Sequence, residues 1–143
     1  MFKRTTMHRR GENGYTLVEL LVVLAILGLL ATIATTQVLK YFASAKLSTA
    51  HAQVESLAGA LDYFKMDIGR YPTTQEGLAA LKSKPATADN WNGPYVKNTT
   101  SLNDPWGHPY AYVSPGKHGE FDLYSNGPDG ETGNGADPPV RNW

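Results

Sequence analysis

The sequence has no cysteine, so a disulfide framework, a thiolate metal site and thiol catalysis are all excluded. Clustered positive charge is also missing after residue 14: Lys40, Lys46, Lys65, Arg70, Lys82, Lys84, Lys97, Lys117 and Arg141 are scattered singly, which leaves no surface for nucleic acid there. The four histidines, His8, His51, His108 and His118, lack metal-ligand spacing. Ser101, Ser114 and Ser125 have no nucleophile-elbow context, and no Gly-rich loop joins a strand to a helix. These absences argue against an enzyme.

Charge is missing most conspicuously between Glu19 and Lys40. The 20 residues Leu20–Leu39 are rich in Leu, Val, Ile and Ala, which is enough to cross a bilayer as a helix. The preceding segment is basic: residues 1–14 hold Lys3, Arg4, Arg9 and Arg10 against Glu12, or +3, so the remainder of this neutral chain carries −3. Three readings compete for this end: a signal peptide cut after a small residue such as Ala34, a plain membrane anchor, and a leader removed ahead of the apolar run. Glu19 weighs between them. A carboxylate without a partner in lipid costs about 3 kcal/mol near the membrane centre and less toward the interface. A cut after Gly14 makes Tyr15 the new amino terminus and puts Glu19 about one helical turn away. There it can meet the amine of a neighbouring subunit.

Beyond Lys40 the helical pattern continues. Leu47, Val54, Leu61 and Ile68 recur every seven residues, with Ala50, Leu57 and Phe64 between them, and Glu55, Asp62 and Lys65 fall off this stripe. A helix from Tyr15 to Ile68 would be about 80 Å long, so its outer half must pack on something besides lipid. Gly69 supplies the stop. Thr73-Thr74-Gln75-Glu76 fits a capping box and predicts a short second helix over Gln75–Lys82, ended by Pro85. Pro109–Val113 and Glu120–Tyr124 predict a hairpin around the turn Ser114–Gly119, with Tyr95-Val96 as a third strand. The expected fold is α+β, with a small antiparallel sheet packed on the long helix.

The stretch Gly14-Tyr15-Thr16-Leu17-Val18-Glu19 behind a short basic leader resembles the type IV prepilin cleavage motif, shared by pilins and the pseudopilins of type II secretion. Arg70–Leu78, Asp104-Pro105-Trp106-Gly107, Ser114–Gly119 and Gly127-Pro128-Asp129-Gly130 resemble, in order, stretches of the major pseudopilins, so the likeness spans nearly the whole chain. It implies a type IV pilin-like fold: leader 1–14, transmembrane and assembly helix 15–39, and periplasmic domain 40–143. A prepilin peptidase would cut between Gly14 and Tyr15 and N-methylate Tyr15, which stands where the family usually has Phe. Thr36 stands where pilin-type helices usually have Pro. The resemblance further implies an inner-membrane subunit forming a homopolymer with Glu19 in assembly. A cytoplasmic ATPase and an inner-membrane assembly platform would drive that polymer, minor pseudopilins would accompany it, and an outer-membrane secretin would pass the cargo.

By the same resemblance the loop from Asn126 to Asp137 binds one Ca²⁺, with Asp129 and Asp137 as side-chain ligands, carbonyls from Asn126 and Glu131, and Asn134 as a further oxygen. Ala136 departs from the family, which often has a second Asp there. Two alternatives stay open: a type IV pilin subunit, and a membrane-tethered calcium-dependent binding module.

Overall fold

The computed structural model describes residues 14–131 and 140–143; the leader before Gly14, and the expected ligands Asn134 and Asp137 together with Ala136, lie outside the described residues. The chain divides into two compact units between Lys40 and Tyr41. Helix α1, Leu17–Ile68, contributes to both and begins and ends as its sequence predicts, to within two residues. At its start Thr16 accepts the Glu19 N–H on Oγ1 at 3.3 Å and the Leu20 N–H on its carbonyl at 3.2 Å. Glu19 thus sits in the first turn, where the positive end of the helix dipole favours a carboxylate.

Every residue from Gly14 to Thr49 is exposed. The hydroxyls of Thr32, Thr35 and Thr36 donate to the carbonyls of Leu29, Ala31 and Ile33 at 2.7, 2.8 and 3.0 Å, so their polar groups are satisfied within the helix, as lipid requires. α1 runs without interruption through Thr36, which keeps the N–H that a proline would remove.

In the second unit α1 buries Ala50, Val54, Leu57, Ala60, Leu61 and Phe64. The stripe is therefore core. Its expected outermost members differ: Leu47 is exposed, and Ile68 is half-buried at the edge of the cluster. Three tyrosine hydroxyls tie the later chain back to the helix, Tyr71 to Asp62 at 2.8 Å, Tyr95 to Asp67 at 2.8 Å and Tyr110 to Gln53 at 2.6 Å. Burial, assisted by the Asp104 charge, pushes the Tyr110 hydroxyl up to about 12, which keeps it a donor. The helix stops at Gly69, whose φ of 84° leaves the right-handed region and whose N–H reaches the Lys65 carbonyl at 2.7 Å.

Two expectations need correction. The capping box forms, with Glu76 N–H on Thr73 Oγ1 at 3.2 Å and Thr73 N–H on Glu76 Oε2 at 2.7 Å, but no α-helix follows over Gln75–Lys82. Instead a turn leads to a 3₁₀ helix at Leu78–Leu81, because Gly77 at φ 56°, ψ −164° breaks the helical path. Tyr95-Val96 is not a strand either. The Tyr95 N–H bonds the Leu81 carbonyl at 2.9 Å and its ring meets Phe64 edge-on at 5.6 Å, so the pair fills core without joining the sheet.

The sheet has order β1-β2-β3, with β1 at Ala111–Val113, β2 at Asp122–Ser125 and β3 at Val140–Arg141. The predicted hairpin is present, antiparallel, with Tyr112 opposite Leu123. β3 pairs with β2 through Ser125 and Val140. In the first strand alternation holds, Tyr110 and Tyr112 being buried. It fails in the second, where Phe121, Asp122 and Leu123 are buried in succession. The Ser114–Gly119 turn covers the outer face there, donating the Lys117 and His118 N–H groups to the Asp122 carboxylate at 2.8 and 3.1 Å. Phe64, Leu57, Leu61, Leu81, Leu123 and Val140 form the fully buried centre.

Candidate functional site

Sequence points to the amino-terminal segment and the C-terminal turn, and each is built differently. Gly14, Tyr15 and Glu19 lie in the first unit on an exposed, otherwise apolar surface, with Leu17, Val18, Leu20 and Leu21 around the carboxylate. Among the described residues ahead of Lys40, Glu19 is the sole charged side chain. Among the described residues a Cβ on Gly14 would meet nothing within 4 Å, so their packing places no demand for glycine there.

The second site grows from the end of β2. A 3₁₀ turn at Gly127–Asp129 follows Asn126, and Gly127 and Gly130 take φ values of 77° and 66° that favour glycine. Asn126, Asp129 and Glu131 are brought onto this turn, with the Asp129 and Glu131 side chains exposed. Among the described residues no three His, Asp or Glu side chains converge as a metal site.

What anchors this turn escaped the sequence reading. Asp104, buried in the Asp104-Pro105-Trp106-Gly107 turn, accepts the N–H groups of Trp106 and His108 on Oδ1 at 3.0 and 2.9 Å. Its other oxygen takes the hydroxyl of fully buried Ser125, and Ser125 Oγ accepts the Gly127 N–H at 3.0 Å. The His108 Nδ1 lies 3.1 Å from the Gly127 carbonyl. Ser125, Asp104 and His108 are neighbours, yet the serine hydroxyl donates to the carboxylate and is shut off from solvent, which is no arrangement for a nucleophile. An Asp-Pro-x-Gly stretch signals a turn, but nothing local predicts that its Asp reaches a serine 21 positions on.

A third cluster is a clasp. Arg70 holds Glu76 through both nitrogens at 2.7 and 2.9 Å, and the Thr87 hydroxyl closes on the same carboxylate. An open groove of about 620 Å³ runs past it, lined by Thr73, Gln75, Ala79, Ser83 and Pro85. Its Glu76 is already spent. The Arg70 hydrogen bonds hold the Glu76 carboxyl well below its ordinary value near 4.5 against the opposing effect of burial, and the Thr87 and Thr73 donors lower it further. A carboxylate lowered in the folded state stabilises above its unfolded value and loses that contribution as pH falls toward the folded value. Glu76→Gln is therefore expected to cost about 2 kcal/mol at pH 7 and to lessen the fall in stability below about pH 4.5, read from urea melts at pH 7 and pH 3.5. An unchanged acid profile would contradict it.

Residues 37–143 match the family described as "Type II secretion system (T2SS), protein G", and residues 9–35 match the "Prokaryotic N-terminal methylation motif". The type II secretion system core protein G of Pseudomonas aeruginosa is 44% identical over 142 residues, covering 96% of this chain and 99% of that protein. Its counterpart in Aeromonas hydrophila is 40% identical over 141 residues, covering 96% of each. Among solved structures, the major pseudopilin from the type 2 secretion system of enterohaemorrhagic Escherichia coli superposes with a TM-score of 0.62 at 31% identity, covering 73% of this chain and 92% of that one.

Proposed function

We infer the working of this chain from its membership: it belongs to the protein G family of type II secretion systems, the family of major pseudopilins, whose subunits assemble into a pseudopilus. The N-terminal apolar helix anchors it in the membrane. In our reading a prepilin peptidase cuts between Gly14 and Tyr15 and methylates the Tyr15 nitrogen. The basic leader stays cytoplasmic, so the domain from Lys40 onward faces the periplasm of a cell with two membranes. Glu19 of one subunit then pairs with the terminal amine of the next, and the growing homopolymer pushes cargo toward an outer-membrane secretin. An inner-membrane platform with its ATPase drives growth, and minor pseudopilins join the fibre. The chain itself performs no catalysis.

One observation carries this reading: a helix exposed from its first turn through Thr49, without a charge from Leu20 to Leu39 and with a carboxylate, Glu19, in its first turn. Among the described residues no side chain covers that surface or pairs with that charge. Co-expression with the peptidase and assembly platform of a type II system tests it, by electron microscopy of the fraction sheared from cells. Fibres that require the platform are expected, and a cleaved chain that forms none would contradict the reading.

We also propose that the C-terminal turn takes Ca²⁺. The fit rests on donor chemistry: Asp129 offers carboxylate oxygen and Asn126 and Glu131 carbonyl oxygen, on a turn whose glycines let backbone carbonyls approach, and hard oxygen is what this ion requires. Asp137 and Asn134 would complete the set from the other arm of the loop, with Ala136 leaving one carboxylate fewer. A cation bound by the folded state alone stabilises it by mass action, about 2.7 kcal/mol at a hundred times Kd. Asp129→Ala is expected to remove most of the rise in Tm that millimolar calcium gives the full chain, while leaving Tm in chelator nearly unchanged. An unmodified chain that melts identically in both would refute calcium binding.

A further inference from the structure

We propose that Asp104 and Ser125 are positioning residues for the cation-binding turn, fixing its shape before any cation arrives; the inference rests on the calcium reading above. Four hydrogen bonds carry it. The carboxylate of Asp104 holds the Trp106 and His108 N–H groups at 3.0 and 2.9 Å and takes the Ser125 hydroxyl, which in turn receives the Gly127 N–H at 3.0 Å. Asp104 is 5% exposed and Ser125 fully buried, so water does not substitute for either partner. At the far end of the turn the His108 ring closes over Gly130 so tightly that a Cβ there would stand 2.8 Å from Cε1. The same ring reaches the Gly127 carbonyl through Nδ1 at 3.1 Å.

The near end of Gly127–Gly130 is thereby hydrogen-bonded into place and its far end packed under the His108 ring, and Asp129 is presented to solvent between them. A ligand already ordered spares the cation the entropy of ordering it. Removing the Ser125 hydroxyl leaves the Gly127 N–H without its acceptor and releases the near end, while Asp129 itself is untouched.

Calcium chloride titrated by calorimetry into the full chain in detergent micelles tests this, with Ser125→Ala and Tyr95→Phe beside the unmodified protein. Tyr95→Phe removes a hydrogen bond to Asp67 in the same unit and serves as the control for general destabilisation. The expected result is a Kd about tenfold higher for Ser125→Ala, equivalent to about 1.4 kcal/mol, and an unchanged Kd for Tyr95→Phe despite a lower Tm. His108→Ala, at a half-buried position, gives the same comparison from the far end of the turn if Ser125→Ala does not fold. An unmodified protein that binds calcium while Ser125→Ala binds it equally well overturns the positioning role alone. So does an equal loss in Tyr95→Phe. No binding by the unmodified protein removes the calcium reading, and the positioning role with it.

Discussion

Glu19→Ala is expected to enter the membrane and lose its leader normally, yet to yield less than about a tenth of the wild-type fibre. The substitution removes the one charge on an exposed apolar surface, so residence in lipid becomes easier by about 3 kcal/mol near the membrane centre and less toward the interface. Assembly moves the other way. A carboxylate and an amine about 4 Å apart attract by about 4 kcal/mol at an effective dielectric constant of 20, and each added subunit repeats the pair. Losing even about 1.4 kcal/mol per addition lowers each association constant tenfold. Alanine keeps the helix, since α1 owes its first turn to Thr16 and the backbone as much as to the carboxylate. The sheared fraction and the membrane fraction of the same cells, compared by immunoblot, separate the two effects. Glu19→Asp is expected to recover part of the fibre. Wild-type fibre from Glu19→Ala would refute the pairing.

Replacing Gly14 with valine is expected to abolish processing outright, leaving a precursor that carries all of residues 1–14. The structure makes this a clean test, because a Cβ at Gly14 would contact nothing among the described residues and α1 begins only at Leu17. Folding of the domain and insertion of the helix therefore proceed. What a branched side chain obstructs is the approach of a protease to the backbone, together with the amino terminus that Glu19 needs as its partner. Both processing and fibre are expected to vanish. Normal trimming of the valine variant would move the cut elsewhere.

The parts of this molecule that could be read from the chain are those in which one local run of residues determines the outcome. The stripe from Ala50 to Phe64 specifies a buried helix face by spacing alone, and Gly69 marks its end. The hairpin was legible because its strands are joined by one short turn. The capping box at Thr73 was legible too, but the helix it announces is cancelled one residue after Glu76 by the left-handed φ of Gly77, a conformation that the letter glycine permits without requiring.

Longer-range pairing was hidden. β3 is two residues long, too short to show alternation, and meets β2 across fourteen intervening residues, Asn126–Pro139. Tyr95-Val96 looked like the missing strand because an apolar pair that fills the core reads the same as one that joins a sheet. The turn at Asn126 was recognisable from its glycines and oxygen donors. Its anchors, Asp104 and Ser125, were not, since each is an ordinary polar letter until the fold places them side by side.

The mass of the intact protein, purified from membranes after co-expression with a prepilin peptidase, bears most directly on the account. It predicts a chain that begins at Tyr15 and carries one added methyl group, with the full-length mass appearing when the peptidase is left out. A chain that keeps its leader in the presence of active peptidase, or one that begins near Thr35 as a secreted protein would, contradicts it.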